Sequence, residues 1–278
     1  MGIEPENYYN DLGHEEWDRS EDLFVHSIEH ENTYPYLEEH LPEEGHILDA
    51  GGAAGRYTVW LAEKGYKVTL VDISEEQLKI AEQKLKERGL LDQVDIQKGD
   101  IRDLDFREEK FDAVLCLGGP LSHVIDDEER DTAANELIRV TKKEHPVFVS
   151  VMGFYGCLMI HVLNEWSFIW EIEDFNERQK YDEKHREKAG EDDPGFANTY
   201  FFKSHQLENV LQRNGLEVGK MIGLENVVSV MEAMEEDGEI DISGEYKERL
   251  RTTARILRDE EASPDLSNHI LAVGWKKY

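Results

Sequence analysis

Cysteine, long apolar runs and positive charge are all scarce in this chain. It has two cysteines in 278 residues. Cys116 and Cys157 both sit in apolar surroundings, which argues against a disulfide scaffold and fits reduced thiols in a cytoplasmic protein. No stretch approaches the roughly eighteen uninterrupted apolar residues that a membrane span needs. The most apolar helical stretch, Cys157–Ile169, is interrupted by His161, Asn164 and Glu165. The first residues, MGIEPENYYNDLGHEEWDRSED, are acidic and lack the basic and apolar regions of a signal peptide. Lysine and arginine number 31 against 62 aspartates and glutamates, a net charge of -31, and the pI is near 4.6. Such a surface repels phosphate backbones, and the few cations are scattered among acids, as in Lys84, Lys86 and Arg88. Nucleic-acid partners are therefore not expected. Mean hydropathy is -0.64, yet hydrophobic residues still make up 39%, enough for the core of one large α/β domain.

The apolar pattern alternates between two periods. Residues 14–41 read as helical, with Trp17, Leu23, Phe24, Ile28, Tyr34, Tyr36, Leu37 and Leu41 as apolar positions and Pro42 as the stop. A strand is expected at His46–Ala50, then a helix beyond Gly55 that ends at Gly65. A second strand follows at Tyr66–Val71. Ser74 and Gln77 then form a capping box for the next helix, which ends at Gly89. Further strands are read at Val94–Gln97, Phe111–Leu117 and Pro146–Met152, with a helix over 128–141. Alternation of this kind calls for a parallel sheet covered on both faces. It breaks after Met152. Residues 153–195 read as an apolar helix and a charged helix, ended by GEDDPG. A short strand at Thr199–Phe202, a helix capped by Ser204 and stopped at Gly215, a strand at Glu217–Leu224, two helical segments and a strand at His269–Trp275 complete the pattern. There is no internal repeat and no low-complexity linker.

The densest chemical signal lies in His46–Ser74. One strand ends in Asp49, a glycine-rich turn leads into a helix, and the next strand ends in Asp72, about twenty residues on. This is a nucleotide-binding βαβ unit. Glycines let the chain reverse and let the backbone lie against a ligand. A dinucleotide pattern starting at Gly51 would need glycines at 53 and 56, where the chain has Ala53 and Arg56. The segment reads better as Asp49-x-Gly51-x-Ala53-x-Gly55.

With that spacing the chain resembles the class I S-adenosylmethionine-dependent methyltransferases. The resemblance covers residues 44–152 well, and the later elements follow the same order. It implies an α/β, Rossmann-like, mostly parallel seven-stranded sheet with helices on both faces and a helical insertion after strand five. It implies one domain: an N-terminal helical lid (1–43), a cofactor-binding core (44–152), the insertion (153–200) and the C-terminal part of the sheet (201–278). It further implies that Asp49, Gly51, Ala53 and Gly55 wrap the methionine part of S-adenosylmethionine. Asp72 would then accept the ribose hydroxyls, Ile73 pack on adenine, Asp100 and Ile101 read its amino edge, and Leu117 and Gly118 pass beside the sulfonium. Ala53 departs from the family's middle glycine and leaves a weakened cofactor site open. A nicotinamide-binding enzyme is the rival reading.

Methyl transfer to an activated sulfonium depends on alignment and does not always need a base, so no universal catalytic motif is expected. Leu117-Gly118-Gly119-Pro120-Leu121 lacks the amide acceptor used on exocyclic amino groups of bases. Cys116 reads as core, and Asp126 and Asp127 read as helix capping in preference to metal ligation; no metal is expected. His123 and Tyr200 are the candidate catalytic residues. Tyr9, Trp17, Tyr155, His161 and His205 are candidates to line the acceptor site, although packing explains several of them equally well; Trp166 and Trp170 are read the same way. Helices before strand one and after strand five suit a lidded small-molecule pocket. A protein or RNA methyltransferase, or a noncatalytic cofactor-binding protein, is the alternative, and the apolar Cys157–Trp170 helix offers a homodimer face.

Overall fold

The computed structural model describes residues 3–22, 24–163, 172–183, 196–231 and 242–277. Strands β1 (His46–Ala50), β2 (Lys67–Asp72), β3 (Val94–Lys98), β4 (Ala113–Cys116) and β5 (Pro146–Met152) are joined by helices α4 (Arg56–Glu63), α5 (Glu75–Glu87) and α6 (Asp127–Val140). Before them lie α1 (Pro5–Leu12), α2 (Glu15–Asp22) and α3 (Phe24–His40). After β5 come α7 (Phe154–Leu163), α8 (Ile172–Arg178), two short strands β6 (Lys180–Tyr181) and β7 (Thr199–Tyr200), and α9 (Ser204–Arg213). The chain continues through β8 (Leu216–Gly223), α10 (Gly244–Leu257), α11 (Ser263–Leu266) and β9 (His269–Lys276).

The main sheet has seven strands in the order β3-β2-β1-β4-β5-β9-β8. The first five run parallel, while β9 pairs antiparallel with both β5 and β8. The expected fold class is therefore the observed one. Because both faces are covered, β1 and β4 read as continuous apolar runs whose successive side chains enter opposite layers. Leu48, Val114 and Val147 pack with Leu137 and Leu207 on one face. Ile47, Leu115 and Phe148 pack with Leu37 and Leu61 on the other. The strand order reverses between β1 and β4, and a crevice opens at their C-terminal ends, the place where open α/β sheets bind ligands.

Several local expectations change. The single helical run over 14–41 is two helices, and a third precedes it at Pro5–Leu12. At α5, Ser74 Oγ does accept the Gln77 N–H, at 3.2 Å. However, the Ser74 N–H is taken by Asp72 and the Gln77 amide donates to the carbonyls of Tyr9 and Gly13. The reciprocal half of the capping box is given up to anchor α1. The cap of α9 is Lys203, one residue earlier than expected, while Ser204 bonds to Asp265. The charged helix read through residues 176–188 ends at Arg178: Gln179 has a positive φ of 53°, and Lys180–Tyr181 pairs with Thr199–Tyr200. Trp166, Trp170, the GEDDPG break and the side chain of His161 lie outside the described residues. Among the described residues no helix is long and apolar enough to cross a membrane.

Candidate functional site: a cavity beneath the N-terminal helices

The glycine turn is built by its neighbours. Gly51 has φ +74°, and its N–H donates to the Val71 carbonyl at 2.7 Å. A Cβ there would lie 2.5 Å from Pro120 Cγ, so only glycine lets the loop after β4 close onto the end of β1. A Cβ at Gly52 would lie 2.6 Å from the Asp49 carboxylate, which the loop covers. Ala53 takes φ +44°, a region that costs a non-glycine residue roughly 1–2 kcal/mol. Its N–H donates to Asp72 Oδ2 at 2.8 Å. The alanine thus keeps the loop geometry that its sequence departure called into question.

Asp49 and Asp72 carry the electrostatics. Burial pushes both carboxyls up to about 6; the hydrogen bond from Thr58 opposes this at Asp49, and the N–H groups of Ser74 and Ala53 oppose it at Asp72. Thr58 Oγ1 donates to Asp49 Oδ2 at 2.6 Å. The other Asp49 oxygen is buried and accepts no hydrogen bond. Asp100 behaves differently. Burial would raise it, but Arg102 grips both carboxylate oxygens, and these hydrogen bonds hold Asp100 below the usual carboxylate range.

A cavity of about 380 Å³ spans this edge of the sheet. It lies within the usual size of small-molecule sites. Eight of the ten sequence-predicted cofactor residues line it: Gly51, Ala53, Asp72, Ile73, Asp100, Ile101, Leu117 and Gly118. Asp49 and Gly55 sit beneath the turn and do not reach the wall. Gly118 has φ +80°, and a Cβ on it would point into open space. Among the described residues, the wall carries the carboxylates Glu4, Glu6, Glu16, Glu29, Asp72 and Asp100 against Arg56 and Arg102. Arg102 is held by Asp100 and Glu129, and Arg56 donates to the Trp17 carbonyl. This wall suits a ligand of net positive charge.

Helices α1 and α2 cover one side of the cavity. Asn10 Oδ1 accepts from Ser74 Oγ at 2.7 Å and from the Glu76 N–H at 3.2 Å. Trp17 is buried, with the guanidinium of Arg56 at 4.7 Å and the ammonium of Lys84 at 4.8 Å from its ring centre. Tyr9 OH lies 2.9 Å from His123 Nε2.

Of the other sequence candidates, Tyr9, Trp17 and His123 meet at this cavity. Tyr200, Tyr155 and His205 are elsewhere. Tyr200 is buried under the Arg130 guanidinium, 3.8 Å from its ring centre. Tyr155 is 41% exposed, and His205 is exposed on α9. Neither lines the cavity; α7, which carries Tyr155, packs toward α11 and the turn after β8. The thiol of Cys116 is fully buried and pushed up to about 12 by burial, as suits a core residue. Asp126 caps α6, accepting from the N–H groups of Glu128 and Glu129.

Sequence reasoning missed Glu29, His30, Arg56 and Tyr57 on the cavity wall. Arg56 was noticed only as a residue that is not glycine. Glu29 and His30 sit on a helix with no clear apolar periodicity to orient it. Glu29 also approaches a buried group: His269 Nδ1 lies 3.8 Å from Glu29 Oε2 and 2.6 Å from Glu225 Oε1.

Residues 47–144 match the family model described as a methyltransferase domain. A putative methyltransferase of Bacillus subtilis (strain 168), YqeM, is 29% identical over 143 residues, covering 49% of this chain and 57% of that protein. A demethylmenaquinone methyltransferase of Lactiplantibacillus plantarum is 27% identical over 155 residues, covering 48% and 64%. The chain spans about half the length of the curated relatives it matches. An S-adenosylmethionine-dependent methyltransferase structure from Methanosarcina mazei superposes with a TM-score of 0.62 at 18% identity, covering 88% of this chain and 99% of that one. Residues 47–144 therefore carry a methyltransferase domain, on a fold shared with S-adenosylmethionine-dependent methyltransferases of known structure. The donor set fits that cofactor. Asp72 offers two carboxylate oxygens at the cavity wall, Gly118 leaves its neighbourhood clear, and the acidic wall matches a sulfonium.

Proposed function

We propose that the protein is a methyltransferase that moves the methyl group of S-adenosylmethionine to a small-molecule acceptor. The observation that carries this reading is the roofed cavity itself. The glycine turn, Asp72, Asp100–Ile101 and Leu117–Gly118 line one continuous space, and α1 and α2 roof it. Among the described residues a roof tied down at Asn10, Tyr9 and Trp17 narrows the access left to a polypeptide or RNA strand, and the net charge of -31 disfavours RNA further.

In this reading Asp72 holds the ribose, Ile73 and Ile101 flank the adenine, and Asp49 sets the charge beneath the turn. The bound cofactor supplies an activated methyl group. The chain's own part is to bind, align and exclude water, with the lid closing over the reacting groups. His123 is the candidate proton acceptor. Several relatives are named as quinone C-methyltransferases and one as a phosphatidylethanolamine N-methyltransferase, which supports a small acceptor without fixing its type. Incubation of the protein with methyl-labelled S-adenosylmethionine and a metabolite extract tests the reading. Label in the small-molecule fraction is expected; label only in protein or RNA would overturn it.

A further inference from the structure

The side chains of His123 and Tyr9 meet on the cavity wall in a defined order. His123 closes the short helical turn after β4, and Tyr9 comes down from α1. The Nδ1 atom of His123 lies 3.0 Å from the Asn198 carbonyl oxygen. A carbonyl only accepts, so Nδ1 carries the proton. The second neighbour agrees: Thr199 Oγ1, 3.3 Å away, gives its own proton to the Ala197 carbonyl at 2.8 Å and can accept from Nδ1. The backbone of Asn198 is fixed in turn by its N–H bond to the Ile3 carbonyl. In the neutral ring Nε2 is therefore the basic nitrogen, and the Tyr9 hydroxyl donates to it at 2.9 Å. Tyr9, Tyr8 and Phe196 form an aromatic surround, with the rings of Tyr9 and Phe196 centred 5.5 and 5.9 Å from the imidazole.

Resting on the methyl-transfer reading, we infer that His123 and Tyr9 form the proton-accepting pair of the site and that the acceptor is a phenolic or enolic hydroxyl compound. A neutral amine attacks with its own lone pair and needs no base beforehand. A phenol or enol becomes a strong nucleophile only as its proton leaves, and an imidazole held with Nε2 toward the cavity takes that proton. Tyr9 is itself a phenol donating to this nitrogen, so the pocket already accommodates the required geometry. Arg102 is already paired with Asp100 and Glu129, so its charge is spent within the protein.

The proton balance is simple. The acceptor hydroxyl gives one proton to Nε2, directly or by way of the Tyr9 hydroxyl, which passes on its own. The acceptor's oxygen, or the carbon conjugated to it, forms the new bond to the methyl carbon. The bond from methyl carbon to sulfur breaks, and its electron pair stays on sulfur. For a carbon acceptor the displaced ring proton restores the hydroxyl, so one proton is released per methyl group in either case. His123 returns it to water when the lid opens.

The test uses the full chain saturated with S-adenosylhomocysteine, whose binding is first measured by calorimetry. Nitrogen NMR of labelled histidine should show His123 as the Nδ1–H tautomer. Para-nitrophenol, titrated in below its solution pKa, should bind ionised, with a phenolate absorbance about tenfold above that of the free probe, a shift of one pKa unit. His123→Asn, again saturated with S-adenosylhomocysteine, should abolish that excess, where a merely lid-latching histidine would leave the ionisation alone. An Nε2–H tautomer, or equal ionisation in His123→Asn, overturns the inference. Absence of S-adenosylhomocysteine binding to the unaltered protein overturns the methyl-transfer reading, and the inference falls with it.

Discussion

Asp72 Oδ2 accepts the Ala53 N–H at 2.8 Å, while its Oδ1 accepts the Ser74 N–H at the same distance. One carboxylate thus ties the turn after β1 to the cap of α5, and it still faces the cavity. Asp72→Asn would remove the charge and turn one oxygen into a donor facing an N–H. Charged hydrogen bonds contribute about 1.5–3 kcal/mol each, so affinity for S-adenosylmethionine should fall by roughly tenfold to a hundredfold, measured by calorimetry.

Ala53→Gly addresses the departure from the family's glycine spacing. Relief of the positive φ should raise stability by about 1 kcal/mol, offset in part by the entropy glycine gains in the unfolded chain. Cofactor affinity should change less than about threefold, because the Ala53 N–H already reaches Asp72. A gain of tenfold or more in affinity would mean that the alanine methyl obstructs the site.

Both buried aspartates titrate near 6, above their ordinary value of 3.8. A raised carboxyl pKa means that the folded state holds more protons than the unfolded state between about 4 and 6, so the ligand-free protein loses stability as pH rises through that window. Each pKa unit is worth about 1.4 kcal/mol per group as an upper figure. Thermal unfolding of the ligand-free chain should show this slope, and Asp49→Asn should reduce it. Cofactor affinity should move the opposite way, rising between pH 5 and 7 as Asp72 ionises.

Trp17 carries the lid's attachment to α4 and α5 through Arg56 and Lys84. Trp17→Ala leaves α2 without its buried anchor. Stopped-flow release of S-adenosylhomocysteine should accelerate by about tenfold. An unchanged release rate would mean that α2 does not gate the cavity.

His269 and Glu225 are both buried and bonded at 2.6 Å, joining the start of β9 to the turn after β8. Leaving a buried carboxylate without one of its hydrogen-bond donors costs about 1–3 kcal/mol. His269→Leu should therefore lower the unfolding free energy from chemical denaturation by that amount, while Lys64→Ala, which removes an exposed pair with Glu38, should cost under about 1 kcal/mol.

The sheet and the cavity wall at its edge were legible because they rest on local rules. Parallel strands buried on both faces appear as apolar runs, and a turn against a ligand appears as glycine spacing between Asp49 and Asp72. The acceptor side was legible only in part, because it depends on which helix faces which. Tyr9 and His123 stand 114 residues apart, and their meeting is set by how α1 lies across the N-terminus of α5. The Gln77 amide that anchors α1 looks in sequence like half of a capping box. Tyr155 and His205 failed for the same reason in reverse: residue type suggested a pocket, and packing turned them outward. Glu29 carried no signal at all, since an acid on a helix ordinarily faces water.

Calorimetric titration of the full chain with S-adenosylmethionine, and separately with NAD, tests the central claim most directly. The account predicts one S-adenosylmethionine site, weakened at least tenfold by Asp72→Asn, and no heat from NAD. Binding of NAD with none of S-adenosylmethionine would contradict it.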